Sequence, residues 1–243
     1  MTRTVAIIQT RMGSTRLPGK VMKDLLGLPM IVRQMNRVKR SSLIDDIVIA
    51  TTTKPADDVI VKLCSDRGWN CFRGSENDVL DRYYQAACVF DADPVVRITS
   101  DCPLIEPETT DLVIREYQKR RPHIDYACNF LPERTYPRGL DTEVFSFDAL
   151  KESWEDDRNP AYREHVTQYI LKNPDRFRIH GVMNDKDYSH MRWTVDTPED
   201  FLLVQKIYGH FGSDDFSWKE ALEFIRLHPE LLEINRNIQQ KVI

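Results

Sequence analysis

Through the first 120 residues short apolar runs alternate with amphipathic stretches, and that alternation most narrows what the chain can fold into. Strands are expected at residues 4–9, 46–51, 70–73, 95–99, 125–128, 142–145, 178–183 and 192–195, and helices at 30–40, 56–67, 78–90, 108–119, 149–155, 162–171, 198–208 and 217–226. Strand, helix, strand in this order makes neighbouring strands parallel, with helices covering both faces of a twisted sheet. After about Pro122 the alternation loosens. The run "NFLPERTYPRGLDTEVFSF" brings prolines, a glycine and mixed charge, so a mixed sheet with an irregular excursion is expected there, of the kind that walls a substrate site. There is no internal repeat, low-complexity tract or interdomain linker, and the 243 residues are expected to form a single domain spanning 1–243.

The first strand runs into "AIIQTRMGSTRLPGKVM", residues 6–22. In open α/β sheets ligands bind beyond the carboxyl ends of the strands, and the loop after the first strand is the usual anion cradle. Gly13 and Gly19 allow close backbone approach, Ser14 and Thr15 add hydroxyl donors, and Arg11, Arg16 and Lys20 can neutralise a triphosphate. The alternative is a solvated basic loop. It is not a Walker loop, because Val21 stands where Ser or Thr should follow the lysine, and it is not G-x-G-x-x-G.

The run "RMGSTRLPGKVM" resembles the N-terminal signature R-x-x-S-x-R-L-P-G-K of the cytidylyltransferases that activate acidic sugars, the CMP-KDO and CMP-sialic acid synthetase superfamily, most closely its SpsF-like branch. Arg11, Ser14, Arg16, Leu17, Pro18, Gly19 and Lys20 match that pattern. The resemblance continues to about residue 210 through "SENDVLDRYYQAA", "VVRITSDCPLIEP", "PRGLDTEVFSFDAL", "REHVTQYI" and "RWTVDTPEDF". It implies a three-layer α/β/α, Rossmann-like nucleotide-diphospho-sugar transferase fold with a mixed, mainly parallel sheet. The reaction implied is transfer of CMP from CTP to an acidic sugar or phosphorylated small-molecule acceptor with release of pyrophosphate, in surface-glycan precursor synthesis. A homodimer using the excursion around 122–175 is also implied.

Asp101 follows the strand "VVRIT", and Asp196 follows "RWTV" just before Thr197-Pro198, a helix start with Thr as N-cap and Pro in the first turn. Both carboxylates are therefore expected at one edge of the sheet, where Mg²⁺ could take them together with phosphate oxygens. Either aspartate alone is equally a cap or turn residue. The resemblance matches the family's metal ligands to Asp101 and Asp196, and with Arg11 and Lys20 these are the expected catalytic residues. It also implies that Arg11, Gly13, Ser14, Arg16 and Lys20, with Ser75, Asp78, Arg82 and Arg97, hold CTP, although Ser75 and Asp78 read equally well as helix-capping residues. Arg138, Asp141 and Glu143 in the excursion, with Arg163, His165 and Arg192, are candidates for the acceptor. Solvated turns, or a packing role for His165, are the alternatives.

The chain departs from the synthetases proper at Gln9-Thr10, where they carry Pro-Ala, and at "TSDCPLIEP". A metal-dependent GT-A-type glycosyltransferase is a second possibility and would need Asp-x-Asp at a central strand end. The two such pairs here, Asp91/Asp93 and Asp185/Asp187, lie ahead of a strand and in a turn-like stretch. A non-catalytic nucleotide-binding protein is a third. With 34 Lys plus Arg against 38 Asp plus Glu, nothing favours nucleic acid or a membrane surface as partner. An odd number of cysteines, five, without C-x-x-C or paired Cys/His spacing argues against both a disulfide framework and a structural zinc site, and a four-residue apolar run near the N-terminus is too short for a signal or span. A cytoplasmic protein is expected.

Overall fold

The computed structural model of the protein describes residues 3–240. In chain order its elements are β1 (Arg3–Gln9), β2 (Asp24–Leu25), β3 (Leu28–Pro29), α1 (Met30–Val38), β4 (Asp46–Thr52), α2 (Asp58–Arg67), β5 (Asn70–Gly74), α3 (Val79–Val89), β6 (Ala92–Thr99), α4 (Pro107–Arg120), β7 (Tyr126–Cys128), β8 (Glu143–Phe145), α5 (Phe147–Asp156), α6 (Pro160–Glu164), α7 (Gln168–Lys172), β9 (Ile179–Gly181), α8 (Pro198–Phe211) and α9 (Trp218–Leu227).

Alternate side chains of a strand face opposite sides, and in β1 both sides are apolar. Ala6 and Ile8 enter one buried cluster with α1, α2, α4, α8 and α9, whereas Val5 and Ile7 enter another with α3, α5 and α7. Each fully buried isoleucine contributes about 1.5–3 kcal/mol relative to exposure, so β1 is driven to the centre of a covered sheet. The seven-stranded sheet has the order β5-β4-β1-β6-β8-β7-β9. β1 is parallel to β4 and β6, β4 to β5, and β7 to β9, while β8 runs antiparallel to both β6 and β7. The mixed, mainly parallel α/β/α sheet is thus present. Among the described residues no helix is long and apolar enough to cross a membrane.

Register decides where the site lies. Gln9 pairs with Ala50 on one side and Thr99 on the other, so β1 and β6 end level, β4 runs two residues further, and the loops after β1 and β6 leave the same edge together. The helix starts are chemically specified. α3 begins at Asp78, whose carboxylate accepts from Asp81 N at 2.8 Å, and α8 begins with a reciprocal capping box between Thr197 and Asp200 and with Pro198 in its first turn.

Two expected elements differ. Residues 192–195 are not a strand of the sheet, because their neighbour Arg138 lies in the irregular excursion and offers one bridge only. The segment is held instead by backbone hydrogen bonds from Arg138 N to Met191 O (2.9 Å), Trp193 N to Arg138 O (2.7 Å) and Val195 N to Asp101 O (2.8 Å). Gly139, at φ +109°, makes this approach possible, since a Cβ there would lie 2.7 Å from Trp193 C and Thr194 N. The helix expected over 162–171 is broken into α6 and α7. Val166 takes φ +62° and Thr167 N donates to His165 O at 2.7 Å, a γ-turn that sends the Thr167 hydroxyl to Glu143 Oε2 at 2.6 Å.

Candidate active site

Beyond the carboxyl ends of β1 and β6 lies a cleft of about 560 Å³. One wall is the loop after β1, which Gly19 at φ +66° turns into the short 3₁₀ segment Lys20–Met22. That turn carries the Lys20 side chain inward until it is only 11% exposed. Its Nζ donates to Asp101 Oδ2 (3.1 Å), Asp196 Oδ1 (3.0 Å) and the Val195 carbonyl (2.7 Å). The two aspartates, 95 residues apart in sequence, therefore face one point.

Each carboxylate is held by further contacts. Asp101 Oδ1 accepts from Thr99 Oγ1 at 2.6 Å, while Asp196 Oδ2 is 3.0 Å from Arg16 Nη2 and accepts from Arg192 Nη2 at 2.9 Å. Behind them Asp200 is buried and receives Arg192 Nε and Nη2, the backbone N–H of Asp196 and Thr197, and Asn235 Nδ2. Burial pushes the Asp101 carboxyl up, but Lys20 and the Thr99 hydroxyl outweigh it and hold the group below its usual range. Burial likewise pulls Lys20 down, and the two carboxylates more than offset that, leaving its ammonium above the usual lysine value. Both groups are ionised near neutrality.

Of the residues singled out in the sequence, Arg11, Gly13, Ser14, Arg16, Lys20, Arg82, Arg97, Asp101, Arg138, Asp141, Glu143, His165 and Asp196 line this cleft. Ser75, Asp78, Arg163 and Arg192 do not. Ser75 Oγ accepts from Asp78 N at 3.1 Å at the start of α3, and Arg163 Nε donates to Asp78 Oδ2 at 2.8 Å, fastening α6 to α3. Arg192 stands behind Asp196. Glu143 is buried and held by Arg97, by Tyr126 Oη (2.8 Å) and by Thr167, so it fixes the Arg97 guanidinium beside Gln9.

At one end of the cleft Arg134 pairs bidentately with Asp141, and Arg138 makes no side-chain hydrogen bond or ion pair among the described residues. Burial, then Arg134 and Arg192 nearby, lower the pKa of Arg138. At another point of the wall Arg82 Nε and Thr10 Oγ1 are buried without hydrogen-bond partners among the described residues. Sequence reasoning passed over Arg134, Thr10, Asp200 and Asn235. Arg134 had a signal in its place within the proline-rich excursion. Asn235 had none, because only the folded chain brings residues 192, 200 and 235 together.

The described residues contain no group of three or more His, Cys, Asp or Glu side chains able to hold a metal. Two carboxylates converging on one cation nevertheless suit a hard divalent ion whose remaining ligands are phosphate oxygens and water. The two Asp-x-Asp pairs are elsewhere: Asp93 is the second residue of β6 and pairs with Arg121, and residues 185–187 lie in a loop outside the cleft.

A covered, mainly parallel sheet, a cationic loop after its first strand and two aspartates at the same edge define a nucleotidyltransferase. The chain belongs to the Cytidylyltransferase family, which it matches over residues 5–238. It is 37% identical over 242 residues to an uncharacterized protein of Methanocaldococcus jannaschii, covering 98% of this chain and 97% of that one. It is 32% identical over 232 residues to the spore coat polysaccharide biosynthesis protein SpsF of Bacillus subtilis, covering 92% and 94%. The solved structure of a cytidylyltransferase from Leptospira borgpetersenii superposes with a TM-score of 0.92 at 32% identity, covering all of both chains.

Proposed function

We propose that the protein transfers CMP from CTP, with Mg²⁺, to a small acidic or phosphorylated acceptor, releasing pyrophosphate in the synthesis of a surface-polysaccharide precursor. The observation that carries this reading is the convergence of Asp101 and Asp196 on Lys20 at the mouth of the cleft. When bound, the ion supplies charge neutralisation and orientation of the phosphates, and Asp101 and Asp196 are the residues to hold it. Arg11, Arg16 and Lys20 bind the β- and γ-phosphates and stabilise the charge that builds on departing pyrophosphate. Phosphoryl-type transfer asks little covalent chemistry of the protein, so positioning and charge carry the rate.

The base end is assigned to Arg82, Thr10 and Arg97, which line the cleft, since Arg82 Nε and Thr10 Oγ1 are buried polar atoms without a hydrogen-bond partner among the described residues. The acceptor end is assigned to Arg138, Asp141 and His165. Arg138 suits an anionic acceptor because Asp141 neutralises Arg134 but not Arg138. Five free cysteines, an odd number, support a reducing, cytoplasmic setting, and a homodimer is the proposed assembly, which a monomeric mass in light scattering at micromolar concentration would rule out. The test of the reaction is pyrophosphate release from CTP and Mg²⁺ over a panel of sugar acids and sugar phosphates. Release that requires one acceptor and CTP supports the reading. Turnover of a nucleotide sugar in place of CTP would overturn it.

A further inference from the structure

Lys20 spends every N–H of its ammonium group on the aspartate site: two go to the carboxylates and the third to the Val195 carbonyl. Around the same point the charges balance. Arg16, Lys20 and Arg192 face Asp101, Asp196 and Asp200, each within 3.1 Å of its partner. A divalent ion arriving alone would have to displace the ammonium into a cleft whose other carboxylates, Asp141, Glu143 and Glu164, already pair with Arg134, Arg97 and Arg11, and would add two charges that no further carboxylate at that point offsets. A nucleotide triphosphate changes both conditions, because it gives Lys20 and Arg16, which belong to one loop, anionic oxygens to move to.

We propose, on the reading of the site given above, that Lys20 is the resident counter-ion of the Asp101–Asp196 pair, so that the divalent ion is taken up together with the nucleotide and not before it. Lys20 thus has two positions, one on the aspartates in the free protein and one on the phosphates in the complex. Uptake of ion and nucleotide is coupled, and the coupling is reciprocal.

The experiment is a titration of Mn²⁺ alone into the full-length protein, with free Mn²⁺ read by its electron paramagnetic resonance signal. It is run on wild type, Lys20→Met and Lys20→Gln, and then repeated with CTP, with the Mn²⁺ that the same CTP holds in protein-free solution subtracted. Without nucleotide, both Lys20 variants should bind Mn²⁺ at least about tenfold more tightly than wild type, the size expected when a cation about 3 Å from two carboxylates is removed. Adding Asp196→Asn to Lys20→Met should abolish that gain. In wild type CTP should tighten Mn²⁺ binding, and by a larger factor than in either variant. Should Lys20→Met not fold, Lys20→Gln keeps a polar group for the Val195 carbonyl and carries the same comparison. Equal Mn²⁺ affinity in wild type and variants without nucleotide would overturn the inference, while leaving the transfer reading intact if CTP still tightens Mn²⁺ in wild type. No effect of CTP on Mn²⁺ in wild type would overturn both.

Discussion

Arg37 and Lys20 are both buried cations held by carboxylates, yet their surroundings differ in one respect. Arg37 is wholly enclosed: its guanidinium donates to the carbonyls of Ile105 (2.8 Å), Asp214 (2.8 Å) and Phe216 (2.9 Å) and to Glu106 Oε2 (3.1 Å), and Glu106 in turn accepts Trp218 N at 2.7 Å. These bonds tie α1 to the loop after β6 and to the start of α9. There burial prevails over attraction, pushing Glu106 up and pulling Arg37 down from their usual values. Around Lys20 attraction prevails over burial, and the shifts of Lys20 and Asp101 run the other way. The first cluster has no room for a further partner, whereas the second opens on the cleft with Asp101 26% exposed. An enclosed ion pair joins elements; an open one is available for exchange with a ligand.

Substitutions should separate the two regions. The largest effect is expected from Asp101→Asn or Asp196→Asn, which should lower pyrophosphate release by about 10³-fold or more while the protein stays folded, with a loss in melting temperature smaller than that of Arg37→Met below. Full activity in either variant would remove that aspartate from the reaction. Arg37→Met should do the reverse, costing about 3–5 kcal/mol because it strands Glu106, or roughly 6–20 °C in melting temperature, with activity per folded molecule unchanged. A smaller effect, about 1 kcal/mol or roughly 2–4 °C, is expected from Thr197→Ala, which removes the cap of the helix that follows Asp196.

The smallest effect is one of sign, read from melting temperature against pH. Asp101 lies below its ordinary value of 3.8, so its contribution is present above that value and is lost as pH falls through the lowered pKa; the stability gap between wild type and Asp101→Asn should shrink in acid. Glu106 lies above its ordinary value of 4.5, so its contribution is present below that value and is lost as pH rises through the raised pKa. The wild type should therefore gain on Glu106→Gln as pH falls. Parallel slopes for the two pairs would show that the regions do not differ as described.

Much of this was legible in the sequence, and for reasons that can be named. The strands β1, β4 and β6 announced themselves because two-sided burial leaves an unbroken apolar run, and Asp196 was placed by the Thr-Pro start of α8. The strong local chemistry of a cap survives translation from sequence to structure. Residues 192–195 were misread because an apolar run looks alike whether it pairs with a strand or, as here, with Arg138 and Asp101 in loops. The break between α6 and α7 was hidden because no glycine marks it: Val166 takes a positive φ that its residue type disfavours. Ser75 and Asp78 carried chemistry suited to a ligand and equally to a helix start, and their hydrogen bonds in the fold are the local ones at the start of α3, whereas Arg163 is drawn to Asp78 by a tertiary contact and Arg192 to Asp196 and Asp200.

The central claim, that the open cluster holds a CTP–Mg²⁺ complex, is tested most directly by the melting temperature of wild type and Asp196→Asn with CTP, UTP, ATP or GTP, each with and without Mg²⁺. At 100 times the dissociation constant a ligand adds about 2.7 kcal/mol, or roughly 5–10 °C for a chain of this size. The expected result is a shift of that order in wild type for CTP with Mg²⁺, absent with the other nucleotides and lost in Asp196→Asn. An equal shift in the variant, or none in wild type with any nucleotide, would contradict it.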